Sequence, residues 1–177
     1  NEIDTTEAEA LPGVLIVLTA KDVPLNEYGL IIPDQPVLCG PGSAKPYTDR
    51  VRFVGDQVAL VIAETEQIAE QARDLINVTY EDLPIVIDVD QALGEDALLL
   101  HPEKESNIFC HYQIRHGDVD RAFEKCDVII EDEYHTPMQE HAYLQPEAGI
   151  AYIDAQGRIT VVVAGQWTHE DREQIAH

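Results

Sequence analysis

The apolar residues of this chain arrive in short runs, "VLIVL" at 14–18, "VALVIA" at 58–63 and "ITVVVA" at 159–164, each with Gly or Asp within two residues of one end. Runs of that length, rich in β-branched residues, are strand-sized, and none approaches the roughly 18 consecutive apolar residues that cross a bilayer. Strands this short need something to pack on. The one clear candidate is "TEQIAEQARDLI", where Ile68, Ala72, Leu75 and Ile76 recur at helical spacing behind Thr65 as N-cap, with acids in the first turn. The fold class that follows is α+β.

The remaining elements fill in around these. Val14–Thr19 and Val58–Ala63 are predicted strands, with a strand piece before the turn at Gly55-Asp56, and Asn77–Glu81 and Ile85–Asp88 are further strands split by Leu83-Pro84. The order strand, strand, helix, strand, strand, without a Gly-x-Gly-x-x-Gly fingerprint, argues against a doubly wound sheet. Leu25 to Arg50 is a long irregular excursion, rich in Pro and Gly, of the kind that is functional or buried against a partner. Its "CGPGSAKP" is no phosphate loop, because Pro41 and Pro46 remove donors and no helix follows. The pattern loosens over Leu93–Ser106, which places a domain boundary near residue 100. Beyond it come predicted strands at 107–113 and 128–135, a short helix begun by Asp118, a hairpin turning at Asp154–Gly157, and a helix with Thr168 as N-cap and Asp171 as capping-box acid.

Composition removes several function classes. Thirty-four acidic against eleven basic residues give a formal charge of −23, with no basic stripe to meet phosphates, so neither nucleic acid nor a membrane is expected as partner. Cys39, Cys110 and Cys126 lie far apart without a C-x-x-C spacing, which suggests no disulfide framework or zinc ribbon and fits a reducing, cytoplasmic setting. The chain opens at Asn1 without an initiator Met or signal-peptide pattern and ends in a helical pattern at His177, so it reads as a piece of something longer.

The residues that could carry chemistry cluster in "TPMQEHAYLQPEAG", Thr136–Gly149. Glu133, His135, Glu140, His141 and Glu147 do not meet a zinc template, since His135 and His141 stand six apart across Pro137 on an extended segment. His169, Glu173 and His177 share a helical stripe that is not His-Glu-x-x-His, and Cys110, His111 and His116 read as scattered packed or surface residues. Glu140 and His141 are acid/base candidates only if buried in a cleft. No G-x-S-x-G exists, and Ser43 and Ser106 are the only serines. Gln166, at the C-terminal end of a strand and two residues before a helix N-cap, is either a turn glutamine or a receiver of an anionic or oxo ligand.

"ALPGVLIVLTAKDVP", "VRFVGDQVALVIAETEQIAEQARDLINVTYEDLP", "HGDVDRAFEKCDVIIEDEYHTPMQEHAYLQPEAG" and "GRITVVVAGQWTH" together resemble the molybdenum-binding subunit of the xanthine dehydrogenase and aldehyde oxidase family, over nearly the whole chain and in the family's order. The resemblance implies an α/β hammerhead domain over 1–100, its first strand missing, and the truncated N-terminal part of a molybdopterin-binding domain over 101–177. It implies a parent that hydroxylates a purine, an N-heterocycle or an aldehyde on a molybdenum-molybdopterin cofactor, passing electrons through iron-sulfur clusters and commonly FAD on other domains or chains. Gln166 matches the family's glutamine close to the molybdenum, and Glu140 and His141 fall in the segment lining the cofactor and substrate region. Gln145 stands where the family more often has an acid, while Glu147 remains. The family's catalytic base would lie beyond residue 177, so no catalytic residue and no metal ligand is expected in this stretch. By itself the stretch is expected to bind no molybdenum and to be inactive. Two readings compete with this one: a free-standing acidic interaction module without catalysis, which would pull down a partner without molybdenum, and a small zinc-dependent hydrolase, which would carry stoichiometric zinc.

Overall fold

The computed structural model describes residues 2–29 and 32–176. The chain divides into two units, Asn1–His111 and Tyr112–His177.

The first unit is built around the antiparallel pairing of β2 (Val14–Thr19) with β3 (Ala59–Ala63), Val17 opposite Val61 and Leu18 opposite Leu60. A register shift between Val14 and Ile16 marks a bulge, which bends the strand as an unpaired extra residue does. Two helices cover one face: α1 (Thr6–Ala10) and α2 (Glu66–Leu75). Ala8, Val17 and Ala72 are buried where they meet, ringed by Leu11, Val14, Val61 and Ile76. Alanine at both helix contacts lets the backbones approach closely, so the core is small but tight. Thr65 caps α2 as its sequence implies, accepting a hydrogen bond from the Ile68 amide at 3.3 Å. Gly13, at φ 91°, sits under Ile68: a Cβ there would lie 2.6 Å from that side chain's δ-methyl. The opposite face of the sheet carries the cross-strand pair Ile16 and Ile62 and is exposed.

Two features here have no periodic signal in the sequence. β1 (Glu2–Asp4) pairs with β4 (Asn77–Thr79), Ile3 opposite Val78, and both β1 and α1 precede the first strand that the sequence predicts. Three to five residues are too few for a period to show. The excursion between β2 and β3 is ordered by side chains that imitate a strand partner. The Asn26 amide donates to the Leu38 carbonyl at 2.9 Å while its oxygen accepts from the Leu38 amide at 2.9 Å. The Gly40 amide donates to the Thr48 carbonyl at 2.7 Å, which occupies that donor of the glycine-rich stretch. Residues 51–54, expected as a strand, instead form a turn: the Asp56 carboxylate accepts from the Arg52 amide at 2.6 Å, and the Asp56 amide donates to the Phe53 carbonyl at 3.2 Å. Arg52 itself donates from Nε to the Leu100 carbonyl at 2.9 Å, tying the excursion to the end of the first unit.

Ile85–Asp88 is likewise not a strand. The Gln91 side chain takes its backbone groups, accepting from the Ile87 amide at 3.2 Å and donating to the Ile85 carbonyl at 2.6 Å, beside the short helix α3 (Val89–Leu93).

The second unit holds α4 (Val119–Phe123), the hairpin β5 (Gly149–Ile153) and β6 (Ile159–Val163), and α5 (Thr168–Ala176). Asp118 caps α4, accepting from the Arg121 amide at 3.1 Å. The hairpin turns where the sequence places it: Asp154 accepts from the Gln156 and Arg158 amides, each at 2.9 Å, and Gly157 takes φ 78°. The Arg158 amide first, and then its guanidinium, hold the Asp154 carboxyl below its usual range. The predicted strands at 107–113 and 128–135 do not form, because a strand exists only as half of a ladder and neither segment joins a ladder among the described residues. No described residue of this unit is buried. No helix of the described residues is long and apolar enough to cross a membrane.

Candidate functional site

The segment from Thr136 to Gly149 follows an extended, unpaired stretch, and it kinks once, at Ala142, whose φ of 53° is uncommon for a residue with a Cβ. The kink is held by a local hydrogen bond, the Ala142 amide donating to the Glu140 carboxylate at 3.3 Å. It brings the His141 and Tyr143 rings into a parallel stack, centroids 5.7 Å apart and planes within 5°. Pro146 fixes the exit, its carbonyl accepting from the Ala148 amide at 2.9 Å just before β5 begins. Upstream, His135 Nε2 lies 3.0 Å from a Glu133 carboxylate oxygen in open solvent.

Gln166 occupies the joint between β6 and α5. Its side chain is exposed. The helix begins one residue earlier than a cap at Thr168 would give: the Asp171 amide donates to the Trp167 carbonyl at 3.1 Å, so Trp167 stands at the cap position and Thr168 is the first helical residue. Asp171 does turn back toward the helix start, but its carboxylate lies against Gly165. A Cβ at Gly165 would collide with one Asp171 oxygen and sit 3.1 Å from the carboxylate carbon. Of the stripe His169, Glu173 and His177, the last lies outside the described residues.

Of the residues singled out from the sequence, Glu140 is thus joined to the backbone of Ala142 and His141 to the ring of Tyr143, whereas no hydrogen bond or ion pair among the described residues links either to Gln166. Tyr143 escapes sequence reasoning, which has no means of foreseeing the left-handed turn at Ala142 that sets two rings two residues apart face to face. The sequence marks Asp171 as a capping acid and gives no sign of its packing on Gly165. Among the described residues no three His, Cys, Asp or Glu side chains gather in a way that could hold a metal ion. The side chains concerned, of Gln166, His141, Tyr143 and Glu140, are amide, imidazole, phenol and carboxylate groups on exposed residues.

Residues 1–84 match the family described as aldehyde oxidase and xanthine dehydrogenase, a/b hammerhead domain, and residues 100–177 match the molybdopterin cofactor-binding domain. The chain is 42% identical over 173 residues to a probable xanthine dehydrogenase subunit of Bacillus subtilis, covering 97% of this chain and 22% of that protein. It is 37% identical over 175 residues to the nicotinate dehydrogenase large molybdopterin subunit of Eubacterium barkeri, covering 98% of this chain and 39% of that one. The fold superimposes on the aldehyde oxidoreductase of Desulfovibrio gigas with a TM-score of 0.73 at 29% identity, over 91% of this chain and 18% of that chain. The chain therefore spans well under half the length of each of these relatives.

Proposed function

The chain belongs to the xanthine dehydrogenase and aldehyde oxidase family, and from that premise we propose that it forms the hammerhead domain, over residues 1–100, and the opening of the molybdopterin-binding domain, over 101–177, of a molybdenum hydroxylase subunit. The parent oxidatively hydroxylates a small substrate of the purine, N-heterocycle or aldehyde class, and it works with iron-sulfur and FAD domains or subunits. Support for the substrate class comes from relatives named for xanthine and nicotinate.

The observation that carries the reading is Gln166, an exposed amide presented where a strand ends and a nine-residue helix begins. An amide donor at that joint suits a ligand oxygen, because the helix's first N–H groups and its dipole already favour negative charge there, and it does not compete for the metal as a thiolate would. The molybdenum-molybdopterin group, when bound, supplies the redox chemistry that the side chains of this chain lack. The chain's own part is to bind and orient. Gln166 would hydrogen-bond an oxygen of the group, and Glu140 and His141, with Tyr143 stacked on the imidazole, would line its surroundings.

The free-standing acidic module finds less support. Nearly all apolar side chains of the second unit are uncovered, including both faces of the β5–β6 hairpin: Ile150 is 69% exposed on one face and Ile159 79% on the other. A hairpin apolar on both faces is the inner part of a layered domain that more polypeptide completes.

In the full-length subunit, assembled with its partners, Gln166→Ala is expected to lower turnover on xanthine, nicotinate or an aldehyde by about a hundredfold, the usual cost of removing one preorganised donor, while thermal unfolding shifts little. Unchanged turnover on all three substrate classes, or loss of activity matched by loss of folding, refutes the role of Gln166.

A further inference from the structure

Gln166 is an exposed residue on an irregular joint, yet a group that must meet a ligand atom productively has to be held within a fraction of an ångström. The neighbours of Gln166 explain how it could be held. On its N-terminal side, the Asp171 carboxylate lies against Gly165, its carbon 3.1 Å from where a Cβ would stand. On its C-terminal side, the Trp167 carbonyl accepts from the Asp171 amide at 3.1 Å. The Asp171 side chain thus reaches back past Gln166 to the residue before it, while its amide makes the first hydrogen bond of α5 to the residue after it. Asp171 is also among the few residues of the second unit that are not fully exposed. Its charge lies in the first turn of α5, where the helix dipole favours it, so the carboxylate has a standing reason to stay at this end of the helix.

We propose that Asp171 is the positioning residue for Gln166: with its carboxylate lodged on Gly165 and its amide on the Trp167 carbonyl, it fixes the direction in which the Gln166 amide is presented. The proposal rests on the role given to Gln166 above.

The test uses the full-length subunit in its assembled enzyme, with Asp171→Ala, Asp171→Asn, Gln166→Ala and the double variant Asp171→Ala/Gln166→Ala. Asp171→Ala is expected to lower kcat by about tenfold with little change in KM, as loss of placement rather than of binding does. Asp171→Asn, which keeps the shape, should recover most of that loss. The double variant should be no slower than Gln166→Ala by more than about twofold, since two residues acting through one group do not add. Independently of activity and of cofactor loading, amide hydrogen exchange over residues 165–168 should quicken in Asp171→Ala and not in Asp171→Asn. Losses that multiply in the double variant, or an unchanged exchange pattern in Asp171→Ala, overturn the proposal while leaving the Gln166 reading intact. A Gln166→Ala enzyme of full activity removes that reading and the proposal with it.

Discussion

At the scale of single residues, burial decides which side chains react. Cys39 is 2% exposed, and burial first, then the nearby Asp56 charge, pushes its thiol up from 9.0 to about 11. The thiolate is the nucleophile, so at neutral pH iodoacetamide is expected to label the exposed Cys110 and Cys126 and to spare Cys39. Mass spectrometry finding Cys39 alkylated at a comparable rate in the folded protein contradicts this. The same shift has a pH consequence: the fold favours the neutral thiol, so its contribution is intact below the unfolded value near 9.0 and is lost as pH climbs toward about 11. Spacing suggests no disulfide framework, and all three cysteines are free thiols. It does not show which is buried, because Cys39 is enclosed by a loop that Asn26 and Thr48 fold through side-chain bonds invisible to any periodicity.

Among the elements, those legible in the sequence are the ones that carry their own instructions. α2 has its stripe and its Thr65 cap, α4 has Asp118, and the β5–β6 turn has Asp154 and Gly157. Because the Thr65 hydroxyl satisfies an amide at the helix start, Thr65→Ala should destabilise the first unit by about 1 kcal/mol, read as a lower urea midpoint with an unchanged slope. No change in midpoint would mean that the tertiary contacts of Ala72 and Ile76 hold α2 without its cap. Most of the elements that pattern misplaces are strands. Ile85–Asp88, 107–113 and 128–135 have strand composition and no ladder, and β1 has a ladder without a pattern to announce it. Hydrogen bonds in a helix close within the segment, whereas those of a strand need a second segment whose position no local window contains.

For the whole molecule the governing quantity is uncovered surface. The second unit contributes no buried residue among those described. Hydrogen exchange over residues 128–163 is therefore expected to be fast in the 177-residue chain and strongly slowed in the full-length subunit; equal protection in the two would show that the second unit needs no further polypeptide. By itself the sequence determined the fold class, the capped helices, the one hairpin whose turn residues specify it, and the family, whose motifs run through nearly all of the chain. Tertiary structure alone decided which strand-like segments find partners, that Gly40 spends its amide on Thr48, and that Asp171 reaches back to Gly165. The division follows from range: caps, turns and amphipathic stripes are interactions within a few residues, while strand pairing and burial depend on where distant segments come to rest.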